Sequence, residues 1–123
     1  MEIKELEFHA NRIRKNILTE VHSANSGHPG GSLSGADILT EIYFEQMDIN
    51  KDNVDSINRD RFVLSKGHAS PLLYGTLKEK GLLKDDLTTF RKINSNLQGH
   101  PNMNEVAGVD MSTGSLGQGI SCA

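Results

Sequence analysis

The stretch "ANSGHPGGS" (residues 24–32) places a histidine, His28, between glycines and beside a proline. Glycine lacks a Cβ atom, so a ligand or a second backbone segment can approach such a site closely. The same pairing returns in "SKGHAS" (65–70) and "QGHPN" (98–102). With 12 glycines and 5 histidines in 123 residues, chance gives only about half a Gly-His pair. The three pairs therefore indicate histidines held at a surface rather than packed in a core.

Four helices are predicted around these pairs. The first two have apolar residues three or four positions apart, the third has residues that suit its two ends, and the fourth begins with acidic residues. The predicted helices cover residues 3–24, about 34–47, 70–80 and about 85–93. The first stops at Asn25-Ser26-Gly27 and the third at Gly81, since both sites suit a helix C-terminus. Residues 94–113 show no period, and an irregular segment of this length in a small domain is usually functional. A glycine-rich stretch over 112–123 then leads into a further helix start.

The short apolar run "RFVLS" (61–65) predicts one buried strand of a parallel sheet. The run leads directly into the second Gly-His pair, and open α/β sheets bind ligands at this end of their strands. A lone strand has no sheet to complete it. We therefore expect an α/β fold, mostly helical with one or few strands, and expect residues 1–123 to be the front part of a larger protein.

Composition and charge limit the classes of function. The chain has the length of one domain, and its 36% hydrophobic content predicts a modest core. The net charge of −3, without a basic block, argues against a nucleic-acid partner, and no apolar run is long enough to span a membrane. A single cysteine, Cys122, leaves no internal disulfide and is interpreted as a small helix residue. We expect a cytoplasmic protein that binds neither nucleic acid nor membrane.

The Gly-His pairs offer hydrogen bonding and proton transfer. They are either contacts to a polyhydroxyl substrate or a phosphate, or scattered loop histidines. A metal site fits less well, because zinc-type local spacing and additional cysteines are missing. The run "GSLGQG" (114–119) is either a backbone cradle for a phosphate or ring, or a flexible turn before a helix. His9 and His22 flank the apolar stripe of the first helix and are interpreted as ordinary surface residues.

Four motifs, taken in order, resemble those of transketolases. They are "ANSGHPGGSLSGADIL", "NRDRFVLSKGHASPLLY", "QGHP" and "GVDMSTGSLGQGIS". Together they cover nearly the whole chain with fitting gaps, and the combination is far more specific than any single motif. Within the family, the chain is most similar to the N-terminal subunit of split transketolases. Many transketolases have proline at the position of Ser115 and asparagine at that of Lys66, and both differences look like the split form.

The resemblance implies a fold and an activity. Residues 1–123 would be the N-terminal, diphosphate-side part of a thiamine diphosphate-binding domain with a parallel sheet, truncated before the family's magnesium motif. The family transfers a two-carbon ketol unit from a ketose phosphate to an aldose phosphate. Thiamine diphosphate carries the difficult chemistry, and magnesium is the accompanying metal. Sugar phosphates are the implied substrates.

The resemblance also implies roles for individual residues. His68 would contact the diphosphate, and His28 and His100 would be catalytic residues that bond sugar hydroxyls and assist proton transfer. The loop against the cofactor rings would consist of Gly114, Ser115, Leu116 and Gly117. The family's Gly-Asp-Gly to Asn stretch, which holds magnesium, is expected beyond Ala123, so no metal ligand is assigned. A second chain carrying the pyrimidine-side domain, in a homo- or hetero-oligomer, is the implied partner.

Two other thiamine diphosphate enzymes are less similar. Deoxyxylulose-phosphate synthase has "GHQ" and "GHSSTS" where this chain has "GHAS" and "STGSLGQG", and the homodimeric pyruvate dehydrogenase first component shares only a "GHAS"-like stretch. From another class, the chain could be a non-catalytic remnant, either a truncated product or an anion-binding module. By itself the 123-residue chain is expected to be inactive. Its activity with both cofactors distinguishes the enzyme from the remnant.

Overall fold

The computed structural model describes every residue from Met1 to Ala123. All of its regular structure is helical. The α-helices are α1 (Ile3–Ala24), α2 (Pro29–Leu33), α3 (Ala36–Glu41), α4 (Ser70–Lys80) and α5 (Gly119–Cys122). One turn of π-helix, Ile42–Gln46, continues α3, and 3₁₀ turns occupy Gly67–Ala69 and Leu87–Thr89. None of these helices combines the length and the apolar character needed to cross a bilayer.

Helix α1 matches its predicted bounds. Its inner face buries Ala10, Ile13 and Ile17, which follow the predicted three- and four-residue spacing. The helix ends at Asn25, which adopts the left-handed conformation with a φ of 49°. Its backbone N–H donates to the carbonyl of His22 at 3.1 Å. The end of α1 thereby turns the chain into the first Gly-His pair.

Helix α4 lies at the centre of the molecule, and its prediction over 70–80 is also confirmed. Its residues 70–77 are all buried. The backbones of α1 and α4 come close at Gly75, where a Cβ atom would lie 3.2 Å from the Cβ atom of Asn16. The side-chain amide of Asn16 donates to the Gly75 carbonyl at 3.0 Å. The core therefore forms between these two helices, with the irregular segments packed around them.

The predicted second helix is present with an altered turn. The chain is helical from Ala36 to Gln46, but its last turn is π rather than α. Leu39 and Tyr43 are buried on the inner side, whereas Ile38 is exposed. The helix thus covers most of the predicted range of 34–47, and the short α2 forms separately from the glycine-rich turn before it.

The predicted strand over 61–65 is wrong for this structure. Residues 61–64 form no regular secondary structure, they pair with no strand, and no sheet is present. A strand needs a neighbouring ladder to satisfy its backbone groups. Here the carboxylate of Asp110 accepts from the Phe62 N–H at 2.8 Å and from the buried guanidinium of Arg59. The mostly helical character is confirmed, whereas the parallel sheet is not seen.

The predicted helix over 85–93 is also wrong, since only the 3₁₀ turn Leu87–Thr89 forms there. The side chain of Asp86 accepts from both the backbone N–H and the hydroxyl of Thr88, at 2.9 and 2.8 Å. Such local side-chain bonds compete with helix formation. Arg91 and Asn94 then adopt positive φ angles of 63° and 66°, which end any helical path. The irregular segment predicted over 94–113 is confirmed, because it contains only turns and bends.

Candidate functional site

The first two Gly-His pairs meet at the ends of two helices. His28 precedes α2, and His68 lies in the 3₁₀ turn that leads into α4. Their rings approach edge to face, with centroids 5.2 Å apart. A Cβ atom on Gly31 would lie 3.1 Å from Nε2 of His68, so a side chain at Gly31 would crowd the imidazole and require it to shift.

The imidazole of His68 is half-buried, and its Nδ1 atom is buried without a hydrogen-bond partner. Burial lowers the pKa of His68, and positive charge at His28, Lys66 and His100 lowers it further. The ring is therefore neutral near neutral pH, able to donate from one nitrogen and accept at the other. The ammonium group of Lys66 is held nearby by the Gly31 carbonyl, at 2.5 Å.

The segment around the second Gly-His pair touches the predicted glycine-rich loop directly. A Cβ atom on Gly67 would lie 2.6 Å from the backbone nitrogen of Gly114, and one on Gly119 would lie 2.7 Å from the Cα atom of Ser65. The Gly117 N–H donates to the Ser65 carbonyl at 3.3 Å. Only glycine permits two backbones to approach this closely. We call this contact between residues 65–68 and 113–119 the glycine junction.

His100, the third histidine of the set, stands on the same loop. A Cβ atom on Gly114 would lie 3.3 Å from Cγ of the His100 ring. His100 is exposed and lines a cleft of about 510 Å³ together with Thr113, Gly114 and Ser115. The three Gly-His pairs, which are distant in sequence, thus converge on one side of the molecule.

The remaining residues of the predicted site lie on the outer side of the glycine junction. Leu116 is 57% exposed. Gly117 has a φ of 82°, which turns the loop before α5. Cys122 is exposed and lines the same cleft as His100.

Three buried polar atoms at the glycine junction have no hydrogen-bond partner: Oγ of Ser65, Nδ1 of His68 and Oγ1 of Thr113. Buried polar groups in folded proteins are almost always paired, so a cluster of unpaired ones indicates a ligand. Each of these groups can donate a hydrogen bond, and backbone N–H groups of the loop lie beside them. The donor set suits an oxygen-rich anionic group such as a diphosphate.

Ser65 and Thr113 are not candidates on sequence grounds alone. Both lie within the motifs that carry the family resemblance, shortly before the glycines of the junction. Their position beside Gly67 and Gly114 is the only signal in the sequence, since burial of their hydroxyl groups depends on the tertiary contact.

The two histidines interpreted as ordinary surface residues lie elsewhere. The Nδ1 atom of His9 is 2.8 Å from a carboxylate oxygen of Glu79, at the packing of α1 on α4. His22 lines an open groove of about 830 Å³ along the end of α1, which contains none of the three Gly-His histidines. No group of three or more His, Cys, Asp or Glu side chains is arranged to hold a metal ion.

Residues 6–123 match the family model "Transketolase, thiamine diphosphate binding domain". One of the subunits of the apulose-4-phosphate transketolase of Phocaeicola vulgatus is 41% identical over 122 residues, which are 98% of this chain and 43% of that protein. The SqwG subunit of the 6-deoxy-6-sulfo-D-fructose transketolase of a Clostridium species is 44% identical over 120 residues, covering 97% and 44% of the two chains. This chain therefore spans less than half the length of these two relatives.

A solved structure agrees with the sequence comparison. The transketolase of Campylobacter jejuni superposes with a TM-score of 0.86 at 42% identity, covering 98% of this chain and 19% of that one. The similarity includes the region in which the three Gly-His pairs converge. The chain therefore belongs to the transketolase family, and its residues 6–123 correspond to that family's thiamine diphosphate binding domain.

Proposed function

We propose that this chain supplies the diphosphate-binding side of a transketolase. The enzyme would transfer a two-carbon ketol unit from a ketose phosphate to an aldose phosphate, with thiamine diphosphate and magnesium as cofactors. The observation that carries the proposal is the set of buried, unpaired donors at the glycine junction, on Ser65, His68 and Thr113. These groups fit a diphosphate and lie inside a domain that matches a thiamine diphosphate-binding family.

The residues of the junction would hold the cofactor. With its proton on Nδ1, neutral His68 donates to a diphosphate oxygen, and the hydroxyls of Ser65 and Thr113 donate beside it. The loop of Gly114, Ser115, Leu116 and Gly117 would hold the cofactor rings, and the exposed Leu116 would offer them an apolar contact. When bound, thiamine diphosphate would supply the carbanion chemistry of ketol transfer. No magnesium ligand is assigned among the 123 residues.

His28 and His100 would act on the sugar. His28 lies against the His68 ring, and His100 opens onto the adjoining cleft. Each imidazole can accept a proton from one sugar hydroxyl and donate to another. Burial and charged neighbours keep His68 itself uncharged, so it is suited to hydrogen bonding rather than to accepting a proton.

A second chain with the pyrimidine-side domain belongs to the proposal, in a homo- or hetero-oligomer. Two relatives are named as subunits of transketolases and show the same short overlap with this chain. The same names support a phosphorylated or sulfonated sugar as the substrate class. We place the enzyme in carbohydrate metabolism in the cytoplasm, as in the pentose phosphate pathway. Deoxyxylulose-phosphate synthesis is a weaker alternative because these relatives are transketolases.

The proposal is tested by a coupled ketol-transfer assay of the complete enzyme with both cofactors. The variant His28→Ala should lose about tenfold or more in kcat/KM, since a hydrogen bond to the reacting sugar is removed. The matched control is His22→Ala, which changes a histidine near the end of α1, outside the converging Gly-His pairs. Turnover that is insensitive to His28, or absent with every ketose phosphate, would refute the proposed function and favour a non-catalytic remnant.

A further inference from the structure

The backbone directly before His100 is held by two side chains of α4. The hydroxyl of Ser70 donates to the Gly99 carbonyl at 2.7 Å, and the hydroxyl of Tyr74 donates to the Gln98 carbonyl at 2.8 Å. Ser70 and Tyr74 are four positions apart, so they project from the same face of the helix. Two consecutive carbonyls of the His100 loop are thus fixed from one rigid surface.

The side chains of both donors, Ser70 and Tyr74, are held in place by the packing around them. Ser70 and Tyr74 are fully buried, and the ring of Tyr74 packs edge to face against Phe90 at a centroid distance of 6.2 Å. Burial is the largest influence that raises the pKa of Tyr74, and the carboxyl of Glu20 raises it further. The phenol therefore stays protonated and remains a donor near neutral pH.

The same helix also determines the position of His68. His68 belongs to the 3₁₀ turn that runs without a break into α4 at Ser70. Helix α4 therefore carries one functional histidine at its N-terminal end and holds the loop of the other through its first two turns. The exposed ring of His100 also packs against the backbone of Gly114.

We propose that Ser70 and Tyr74 are positioning residues that set His100 at a fixed distance from His68. The inference rests on the proposed function, since it gives His100 to the sugar and His68 to the diphosphate. Neither Ser70 nor Tyr74 lines the cleft of His100, so both act through the loop. The hydrogen bonds from α4 align the substrate-side histidine with the cofactor site.

The variant Tyr74→Phe tests this directly, because it removes one hydroxyl and keeps the ring. Tyr43→Phe is a matched control: Tyr43 is also fully buried, but its hydroxyl has no hydrogen-bond partner. In the complete enzyme, Tyr74→Phe should lower kcat/KM for the ketose about five- to tenfold, while the Kd of thiamine diphosphate stays within about twofold. Ser70→Ala should act in the same direction, and Tyr43→Phe should change neither quantity.

Two further readouts separate positioning from a general structural effect. Amide hydrogen exchange across residues 97–101 should become about tenfold faster in Tyr74→Phe and remain unchanged in Tyr43→Phe. In a His100→Ala background, Tyr74→Phe should lower kcat/KM by less than about twofold, because the group that it aligns is already absent.

Three outcomes would overturn the positioning role of Ser70 and Tyr74. Unchanged exchange over 97–101 in Tyr74→Phe overturns the proposal whatever the activity is. Full additivity of Tyr74→Phe and His100→Ala, or an equal loss in cofactor affinity, also overturns it. If the unaltered enzyme transfers no ketol unit, the proposed function fails, but the exchange measurement still decides whether α4 holds the loop.

Discussion

Glu20 gives the strongest test of the packing between α1 and α4. Its side chain is fully buried on the inner face of α1, and neither carboxyl oxygen has a hydrogen-bond partner. A Cβ atom on Gly75 of α4 would lie 3.6 Å from Oε2. Burial raises the pKa of Glu20 from 4.5 to about 10, since the interior disfavours the charged form. The folded protein therefore holds a neutral carboxylic acid at this position near neutral pH.

The magnitude follows from the difference between the folded and unfolded pKa values. Below about pH 4.5 the Glu20 carboxyl is protonated in both the folded and the unfolded chain, and its titration then costs no folding free energy. As the pH rises toward about 10, the unfolded chain has released its proton while the folded chain keeps it. Folding then loses about 1.4 kcal/mol per pH unit, or roughly 3 kcal/mol between pH 5.5 and 8.

The variant Glu20→Gln removes this titration while keeping the shape of the side chain. Its stability relative to the unaltered chain should increase by about 3 kcal/mol between pH 5.5 and 8, measured from urea unfolding followed by circular dichroism. The assembled enzyme is used if the chain alone shows no cooperative transition. Glu7→Gln, an exposed position on the same helix, should show no such pH dependence. A stability difference that is the same at both pH values would refute the burial of Glu20 as a neutral acid.

Three further predictions follow from the glycine junction and the histidines. Gly67→Ala should weaken cofactor binding several-fold or more and lower stability by about 1–3 kcal/mol, because the added Cβ atom would lie 2.6 Å from the backbone of Gly114. Gly30→Ala should be tolerated, because no atom lies within 4 Å of a Cβ atom there. Equal calorimetric results for the two variants would contradict this. His100→Ala should lower turnover about ten- to a hundredfold with nearly unchanged cofactor affinity, and a loss confined to cofactor binding would reverse its role. The isolated 123-residue chain should show no ketol transfer and bind thiamine diphosphate no more tightly than roughly millimolar, because no magnesium ligand is assigned among its residues to offset the charge of the diphosphate; micromolar binding would contradict this.

The helices were predictable where local chemistry decided them. In α1 the apolar spacing agrees with the buried face, and in both α1 and α4 the residues that end the helix were recognised in the sequence. The segment 85–93 was predicted as a helix from the acidic residues at its start, but the side chain of Asp86 bonds within its own turn. The apolar run 61–65 could not reveal whether a partner strand was present, and strand formation depends on that partner.

The site was predictable mainly through the family resemblance. Spacing alone left the three Gly-His pairs as functional or scattered histidines, and their convergence depends on long-range contacts such as Gly67 against Gly114. The buried hydroxyls of Ser65 and Thr113 are products of that contact. Glu20 carries a visible signal in the sequence, because it lies three positions after Ile17 on the apolar face of α1.

The assignment of the glycine junction to a diphosphate is the central claim, and one pair of titrations tests it most directly. Thiamine diphosphate and thiamine, which lacks the phosphates, are titrated calorimetrically into the complete enzyme and its His68→Ala variant with magnesium in excess. Because His68 offers its unpaired Nδ1 to the diphosphate, the variant should bind thiamine diphosphate about ten- to a hundredfold more weakly and thiamine with the same affinity. Unchanged binding of thiamine diphosphate, or an equal loss for both ligands, would contradict the assignment.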